Sequence, residues 1–276
     1  MPKITQIQAQ NKNKNRRNVF VDGSYEFSCD MEIILKYKLK EGLEIDRTKL
    51  LQVIDQSKEE FAFRLALNYL SFKSRTSFEI YTYLLKKEYE EKIIEKVIEK
   101  LKYYRYVDDN QYVLNYIKTA LAEGKKGKDR VQSDLINKKI PQDMIESHMH
   151  LFSCETNLEI AKELSNKYFK QNAHLPFNQF KNKLSQFLMR KGFNWEIINT
   201  CLNILEQDSE VQSHIDSNKE LYVKEAIKLG NKYFVKYKAK ETNPYLVEHK
   251  VKSHLYQKGY DKDTINLAFK KIIENS

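Results

Sequence analysis

The chain has 276 residues, and its 48 Lys and Arg against 38 Asp and Glu give a net charge of +10. Its 18 Tyr and 14 Phe exclude a disordered chain, which lacks that supply of aromatic residues. Only 7 Gly and 4 Pro are present, too few turn residues for most β-sandwiches and glycine-loop α/β enzymes, so we expect a mainly α-helical protein.

The charge balance and the cysteines indicate the kind of partner and the compartment. A basic surface favours nucleic acid, an acidic protein or an anionic membrane as partner. Cys29, Cys154 and Cys201 are odd in number and widely spaced, which argues for a reducing compartment. No apolar signal core opens the sequence, and no apolar run approaches the length of a membrane span. We therefore predict a cytoplasmic protein that does not enter the membrane.

Residues 1–56 predict a small β unit followed by a helix. Residues 4–10, 19–21 and 24–27 are short β-prone runs, and Asp22-Gly23 between the last two is a strong hairpin signal. The stretch 11–18 between the first two runs carries four basic residues and no acid, which predicts a basic loop. A short helix from Asp30 to about Tyr37 follows, with Asp30 as its N-cap.

From Ser57 onward the sequence predicts one helix after another, and four helix ends share one pattern. The pattern is a Leu, two residues, a Lys, one residue and then a large apolar residue. Its four occurrences begin at Leu84, Leu135, Leu188 and Leu255. Apolar residues recur five, nine and twelve positions after each closing residue, on one side of a helix. With a further apolar helix ahead of each pair, the pattern predicts a three-helix repeat of about 50 residues.

Turn and capping residues mark the ends of these helices. Thr76 and Glu79 form a capping-box sequence, and Asn243 precedes Pro244 as an N-cap precedes a first helical turn. Gly192 and Gly259 suit left-handed caps where a helix ends.

The predicted fold is mainly α: tandem three-helix repeats form an elongated curved array behind a small N-terminal β-hairpin and helix unit. The predicted boundaries are 1–56 for the N-terminal unit and 57–108, 109–153, 154–208 and 209–276 for repeats 1 to 4.

Catalytic, cofactor and metal motifs are missing from the sequence. The segment from Gly124 to Lys128 lacks the glycine spacing of a phosphate loop, and a basic loop between helices is a better interpretation than the clamp of KH domains. The histidines form no ligand set, and His148 and His150 fall on opposite sides of a helix. Asp108 and Asp109 are better explained as helix-capping residues than as a metal site. We predict no enzyme, no cofactor and no metal.

Basic residues between helices or at helix ends are the candidate partner contacts, because loops and helix ends are where repeat proteins make contacts. We expect the four of the loop at 125–130 to be exposed. The full set is Arg16, Arg17, Lys73, Arg75, Lys125, Lys126, Lys128, Arg130, Lys138, Lys139, Arg190 and Lys191.

Several stretches resemble the bacterial RecX family of regulatory proteins. The opening 4–23 with its basic loop resembles the start of that family, and 69–76 resembles the opening of its first repeat. Tyr106-Val107-Asp108-Asp109, Lys125-Lys126-Gly127 and the segment 188–193 are also similar. The resemblance covers nearly the whole chain and is closest in residues 1–145. Val113 departs from a usual Ala, and Glu88 and Lys139 stand where the family's glycine is found in other repeats.

The resemblance implies a non-enzymatic modulator of RecA, the recombinase that polymerises on single-stranded DNA and hydrolyses ATP. RecX-like proteins bind in the groove of the RecA nucleoprotein filament and suppress strand exchange and ATP hydrolysis. This implies a role in DNA repair and homologous recombination, with the filament as partner and weak direct contact with DNA, and we expect a monomer. Two alternatives stay open: a repeat protein that binds DNA directly and non-specifically, and a helical scaffold for an unrelated acidic partner.

Overall fold

The computed structural model describes residues 1–10 and 15–274, and the chain divides into two compact units. Unit 1 consists of residues 1–115 and 136–144, and unit 2 of residues 116–135 with the chain from Ile145 onward. The prediction of a mainly α protein with a small N-terminal β unit is confirmed. Lys12 and Lys14 of the predicted basic loop lie outside the described residues.

The N-terminal strands form an antiparallel sheet in the order β1-β2-β3. Their bounds are Ile4–Ala9 for β1, Arg16–Val21 for β2 and Ser24–Asp30 for β3. Asp22 and Gly23 form the predicted hairpin turn, with φ angles of 49° and 84° that suit a tight two-residue connection.

The predicted basic loop is shorter than expected at its C-terminal end. Arg16 and Arg17 belong to β2, where they pair with Asp30 and Cys29 of β3. Strand pairing with the far end of the hairpin extends β2 beyond its β-prone core, so these two candidates lie in a strand and not in a loop.

Helix α1, Met31–Lys36, and helix α2, Arg47–Leu70, cover the sheet. Asp30 stands at the N-cap of α1 as predicted, but its side chain makes no capping bond and pairs instead with Arg64 of α2. Helix α2 begins well before Ser57, because the Asp46 carboxylate accepts a hydrogen bond from the Lys49 N–H and caps the helix there.

Helix α2 contributes to two hydrophobic clusters of unit 1. Its first half buries Leu50 and Val53 with the sheet residues, and its second half buries Ala62 and Ala66 against α3 and α4. These two helices span Ser77–Leu85 and Glu91–Tyr103. The capping box of Thr76 and Glu79 at the start of α3 is confirmed, with both reciprocal hydrogen bonds present.

The rest of the described chain is helical. Between the second and third repeats Met149–Leu151 forms a 3-10 turn, and α11 is a helix that the repeat pattern did not predict. The helices are α5 Asp109–Glu123, α6 Lys128–Asn137, α7 Gln142–His148, α8 Cys154–Asn172, α9 Phe177–Lys191, α10 Trp195–Gln207, α11 Ser209–Ser217, α12 Lys219–Lys238, α13 Pro244–Gln257 and α14 Lys262–Glu274. Among the described residues, none of these helices has an apolar stretch long enough to span a membrane.

The repeated pattern corresponds to one recurring turn. The leucine that opens it is fully buried in each repeat, at Leu84, Leu135, Leu188 and Leu255. The residue after the pattern's lysine has a left-handed backbone every time, with φ of 63° at Glu88, 57° at Lys139, 86° at Gly192 and 89° at Gly259. Each turn therefore ends its helix with a left-handed residue. The predicted caps at Gly192 and Gly259 are confirmed, and Glu88 and Lys139 adopt the same backbone without glycine.

Candidate functional site

The turn after α9 contacts the start of α6 through backbone hydrogen bonds in unit 2. The Gly127 N–H donates to the Lys191 carbonyl oxygen at 2.8 Å, and the Asp129 N–H donates to the Gly192 carbonyl oxygen at 3.2 Å. The first N–H groups of a helix have no hydrogen-bond partner within the helix, and here the carbonyl oxygens of the turn after α9 accept two hydrogen bonds at the start of α6. We call this contact the α6–α9 joint.

Glycine is required on both sides of the α6–α9 joint. A Cβ atom on Gly127 would lie 2.3 Å from the Gly192 carbonyl oxygen, and one on Gly192 would lie 2.2 Å from the Arg130 backbone nitrogen. Because both obstacles are backbone atoms, no side-chain rearrangement relieves the clash. The joint therefore holds the basic residues on each side of it in a fixed arrangement.

A basic cleft of about 430 Å³ lies beside the α6–α9 joint. Lys126 and Arg130 contribute from the α6 side and Arg190 and Lys191 from the end of α9, with the Phe187 ring completing the lining. The Lys191 ammonium lies 5.5 Å from the centre of the Phe187 ring, within cation–π distance. Four of the predicted contact residues therefore meet at one place.

Asp134 partly neutralises the α6 side of the cleft. Its carboxylate lies 2.8 Å from the Lys126 ammonium and 3.1 Å from Nε of Arg130, and it accepts a hydrogen bond of 2.8 Å from the Tyr116 hydroxyl. Partial burial opposes ionisation of the Asp134 carboxyl, but the hydrogen bonds from Lys126 and Tyr116 hold its pKa below the ordinary value. Burial likewise opposes the charge on Lys126, yet its bonds to Asp134 and Tyr116 raise its pKa.

The α9 side of the cleft keeps its positive charge. Within the described residues, neither Arg190 nor Lys191 forms an ion pair, and Arg190 is exposed. Asp134 pairs with only two of the four cations, so the cleft carries a net positive charge available to an anionic ligand.

The expectation that the cations of the 125–130 loop are all exposed is wrong for Lys126 and Lys128. Lys126 is half-buried between Tyr116 and Asp134, and Lys128 is half-buried in the first turn of α6, where its backbone N–H donates to the Asn157 side chain. Lys125 and Arg130 are exposed, and Lys125 lies 3.9 Å from Glu123. The helix begins at Lys128 because the joint and Asn157 supply partners for its first N–H groups.

Two candidates of unit 1 belong to an ion-pair cluster. The Glu79 carboxylate lies 2.8 Å from the Lys138 ammonium and 3.9 Å from the Arg75 guanidinium, and the guanidinium also stacks 4.1 Å from the centre of the Tyr69 ring. Burial works against the charge of Glu79, but Lys138, the Thr76 N–H and Arg75 together lower the pKa of its carboxyl. Arg75 and Lys138 therefore stabilise the contact between α3 and the end of α6.

The other four candidates have different surroundings. Lys73 is exposed in the turn after α2, and Lys139 is exposed at its left-handed turn position. The Arg16 guanidinium lies 4.1 Å from the centre of the Phe61 ring, while Arg17 is half-buried and donates to the Arg16 carbonyl oxygen. These side chains are not part of the cleft.

The acids and aromatic rings that hold the cations are not among the predicted site residues. Asp134 follows Arg130 by one helical turn, and an opposite charge at that spacing is a signal that the sequence contains. The sequence predicts Glu79 as a capping residue, but no local pattern predicts that Lys138 reaches it.

The prediction that Asp108 and Asp109 cap the helix that follows them is confirmed for Asp108 only. The Asp108 carboxylate accepts from the Gln111 N–H at 2.9 Å at the start of α5, whereas the Asp109 carboxylate accepts from the Ser77 N–H at 2.8 Å at the start of α3. In residues 1–10 and 15–274, no group of three or more His, Cys, Asp or Glu side chains is arranged to hold a metal ion.

Comparison with known proteins identifies the family of this chain. The family model for the RecX N-terminal domain matches residues 2–46, and those for its first and third three-helix domains match residues 62–101 and 155–202. A regulatory protein RecX of Bacillus cereus (strain B4264) is 35% identical over 273 residues, covering 97% of this chain and 97% of the relative. The chain belongs to the RecX family of regulatory proteins.

Another curated RecX protein and a solved RecX structure are also similar to this chain. A regulatory protein RecX of Bacillus subtilis (strain 168) is 31% identical over 265 residues, with 96% of this chain and 97% of the relative covered. A crystal structure of a regulatory protein RecX superposes with a TM-score of 0.58 and 27% identity, covering 74% of this chain and 100% of that one. The three-helix segments at residues 62–101 and 155–202 are therefore those of the first and third RecX domains.

Proposed function

We propose that this protein binds the RecA–single-stranded DNA filament and inhibits the recombinase and ATPase activities of RecA. Membership of the RecX family supports this partner. The observation that carries the proposal is the basic cleft at the α6–α9 joint, where Arg190 and Lys191 form no ion pair within the described residues.

The chemistry of the cleft suits an extended anionic partner. Arg guanidinium groups bind phosphate or carboxylate oxygens in a bidentate manner, and Lys ammonium groups bind them as point charges. Because the backbone contact at Gly127 and Gly192 fixes both sides of the cleft, little backbone ordering is needed on binding. The groups at the cleft therefore support binding and offer no nucleophile–base pair, in keeping with a regulator that acts without chemistry of its own.

A charge-reversal variant tests the proposal. Arg190→Glu/Lys191→Glu removes the two cations that have no acidic partner, and each reversal turns attraction into repulsion towards an anionic surface. We expect the protein concentration that halves the DNA-dependent ATPase of RecA to rise by about tenfold or more. The measurement is a titration of RecA on single-stranded DNA with wild-type and variant protein.

Lys224→Glu/Lys228→Glu is the matched control. Both lysines are exposed on α12 in the same unit, and the variant has the same change in net charge. It should inhibit RecA within about twofold of the wild type, because distant surface charges are largely screened at physiological salt. Equal inhibition by the cleft variant and the control variant would remove the cleft from the proposal.

Direct, non-specific binding to DNA is the second candidate function, favoured by the net charge of +10 and the four cations around one carboxylate. Binding driven by phosphate contacts falls steeply with salt, because counterions are released on binding. If filament binding persists at a salt concentration that abolishes binding to naked DNA, contacts with RecA dominate. Equal salt slopes for both would favour the second candidate.

A further inference from the structure

A second exposed surface lies in unit 1 where α4 ends. Residues 102–106, Lys-Tyr-Tyr-Arg-Tyr, are all exposed, with 81% of Tyr103, 55% of Tyr104 and 56% of Tyr106 accessible. Phe63 of α2 lies beside them and is half-buried. We call these three tyrosines and Phe63 the aromatic platform.

The rings of the aromatic platform adjoin one another in tilted and edge-to-face contacts, without parallel stacking. Tyr104 lies 5.2 Å from Tyr103, 6.3 Å from Tyr106 and 6.3 Å from Phe63 between ring centres, and Tyr106 lies 6.5 Å from Phe63. The angles between these ring planes run from 51° to 79°. Tyr69 and Tyr83 differ, because they stack face to face at 4.1 Å and 8°. The three exposed tyrosines therefore keep ring surface open, whereas the Lys100 ammonium lies over the Phe63 ring, 4.5 Å from its centre.

The tyrosines do not serve the core of the unit. Leu101 and Val107, on either side of the exposed segment, are buried and fix it in place. The turn between them is closed by hydrogen bonds from the Arg105 N–H to the Lys102 oxygen and from the Tyr106 N–H to the Leu101 oxygen, with a left-handed φ of 59° at Arg105. Contiguous exposed aromatic side chains are uncommon on a monomer and mark binding surfaces.

Two cations without an ion-pair partner lie next to the rings. Lys102 and Arg105 are exposed and form no ion pair among the described residues. Glu60 pairs with Lys100 at 2.6 Å, whereas Asp108 and Asp109 line a shallow cavity together with Lys102 and Arg105 and keep their charge while each accepts one backbone N–H. The platform thus combines exposed ring surface with two unpaired cations.

We propose that the aromatic platform is a base-stacking site for single-stranded nucleic acid. Unpaired bases stack on Tyr and Phe rings, while Lys102 and Arg105 contact the phosphates between them, as single-strand-binding surfaces do. A duplex keeps its base faces inside the stack, so the platform favours single strands. This site uses residues other than those of the basic cleft, and the inference does not depend on inhibition of RecA.

A pair of oligonucleotides separates stacking from charge. Oligothymidylate and an abasic oligonucleotide of the same length carry the same phosphates, but only the first has bases. We expect the full-length protein to bind oligothymidylate at least about tenfold more tightly than the abasic strand, as measured by fluorescence anisotropy at moderate salt.

A triple variant, Tyr103→Leu/Tyr104→Leu/Tyr106→Leu, keeps apolar bulk on the platform and removes its aromatic tyrosine faces. We expect its affinity for oligothymidylate to fall to about that for the abasic strand, whose binding should be unchanged because the phosphate contacts remain. Tyr103→Ala provides a second test if the triple variant melts at lower temperature, because Tyr103 is the most exposed ring, and it should reduce the preference partway. Tyr245→Ala/Tyr256→Ala is the control: these tyrosines are 72% and 69% accessible on α13, and their loss should leave the preference intact.

Three results would overturn the inference. The first is equal binding of both strands by the wild type, and the second is a triple variant that keeps the full preference for bases. The third is a triple variant that loses inhibition of RecA while its base preference is unchanged, which would assign the platform to a protein contact. Because base preference is measured without RecA, a failure here is distinguishable from a failure of the proposed function.

Discussion

The turn after α6 and the turn after α9 occupy the same place in successive repeats, but they are built differently. Both have a left-handed residue after the lysine of the pattern, Lys139 in the first and Gly192 in the second. Lys139 is exposed, and its neighbour Lys138 pairs with Glu79. Gly192 lies against the backbone of Arg130, and its carbonyl oxygen accepts the Asp129 N–H. One turn makes its contact with side-chain charges and the other with backbone.

The difference shows which physical demand requires glycine. A left-handed backbone costs a residue with a Cβ atom about 1 kcal/mol, and Lys139 tolerates that cost. A backbone atom 2.2 Å from the Cβ position allows no side chain, so Gly192 is required by close approach and not by its φ angle alone. Gly259 has the same constraint, because a Cβ there would lie 2.5 Å from the Gln179 nitrogen.

Gly192→Ala has the largest expected effect of the variants that test this comparison. The new Cβ overlaps the Arg130 backbone and forces the α6–α9 joint apart, so we expect a loss of about 2–4 kcal/mol in the free energy of unfolding. Chemical denaturation followed by circular dichroism measures this loss.

Gly124→Ala is the control for the φ angle. Gly124 also has a positive φ, of 58°, but a Cβ there meets nothing within 4 Å, so the cost should be about 1 kcal/mol. Equal losses in the free energy of unfolding for Gly124→Ala and Gly192→Ala would mean that the close backbone contact at Gly192 adds nothing to the cost of the left-handed φ angle.

Glu79→Gln tests the turn after α6, where Lys138 pairs with Glu79. We expect the free energy of unfolding to fall by about 1–2 kcal/mol at neutral pH, because the variant removes a charge-assisted pair. The folded-state pKa of Glu79 is lowered, so the unfolded chain binds a proton first as the pH falls. The stabilisation is present above the ordinary pKa of 4.5 and disappears as the pH falls through the folded-state pKa. The wild type and the variant should therefore converge in stability at low pH.

Denaturation curves at neutral pH and at a series of acidic pH values provide the measurement. Glu123→Gln removes an exposed carboxylate 3.9 Å from Lys125 and should change the free energy of unfolding by less than about 0.5 kcal/mol. A difference between wild type and Glu79→Gln that stays constant with pH would show that the charge of Glu79 does not stabilise this turn.

Lys139→Gly has the smallest expected effect. Glycine relieves the left-handed strain at this position but gives the unfolded chain more freedom, so the gain in stability should be at most about 1 kcal/mol. Thermal melts of wild type and variant at the same protein concentration suffice. A loss of more than about 1 kcal/mol would show that the Lys139 side chain makes a stabilising contact of its own.

Local features were readable from the sequence because short segments encode them. The hairpin at Asp22-Gly23, the capping box at Thr76 and Glu79, and the cap of Asn243 before Pro244 are all present. The left-handed turns at Gly192 and Gly259 follow from the same kind of local rule. The boundaries at 56, 108, 153 and 208 stay predictions, and α2 runs through the first of them from Arg47 to Leu70.

The sequence by itself determined the helical repeats, their buried leucines and their left-handed turns, since periodicity and caps depend on residues close together in the chain. Only the tertiary structure decided which cations meet. It brought Lys126 to Tyr116 and Asp134, Lys138 to Glu79, and Arg190 and Lys191 to the start of α6. All these lysines and arginines look alike in sequence, and the contact between helices distant in the chain decides which charges are paired and which stay available to a partner.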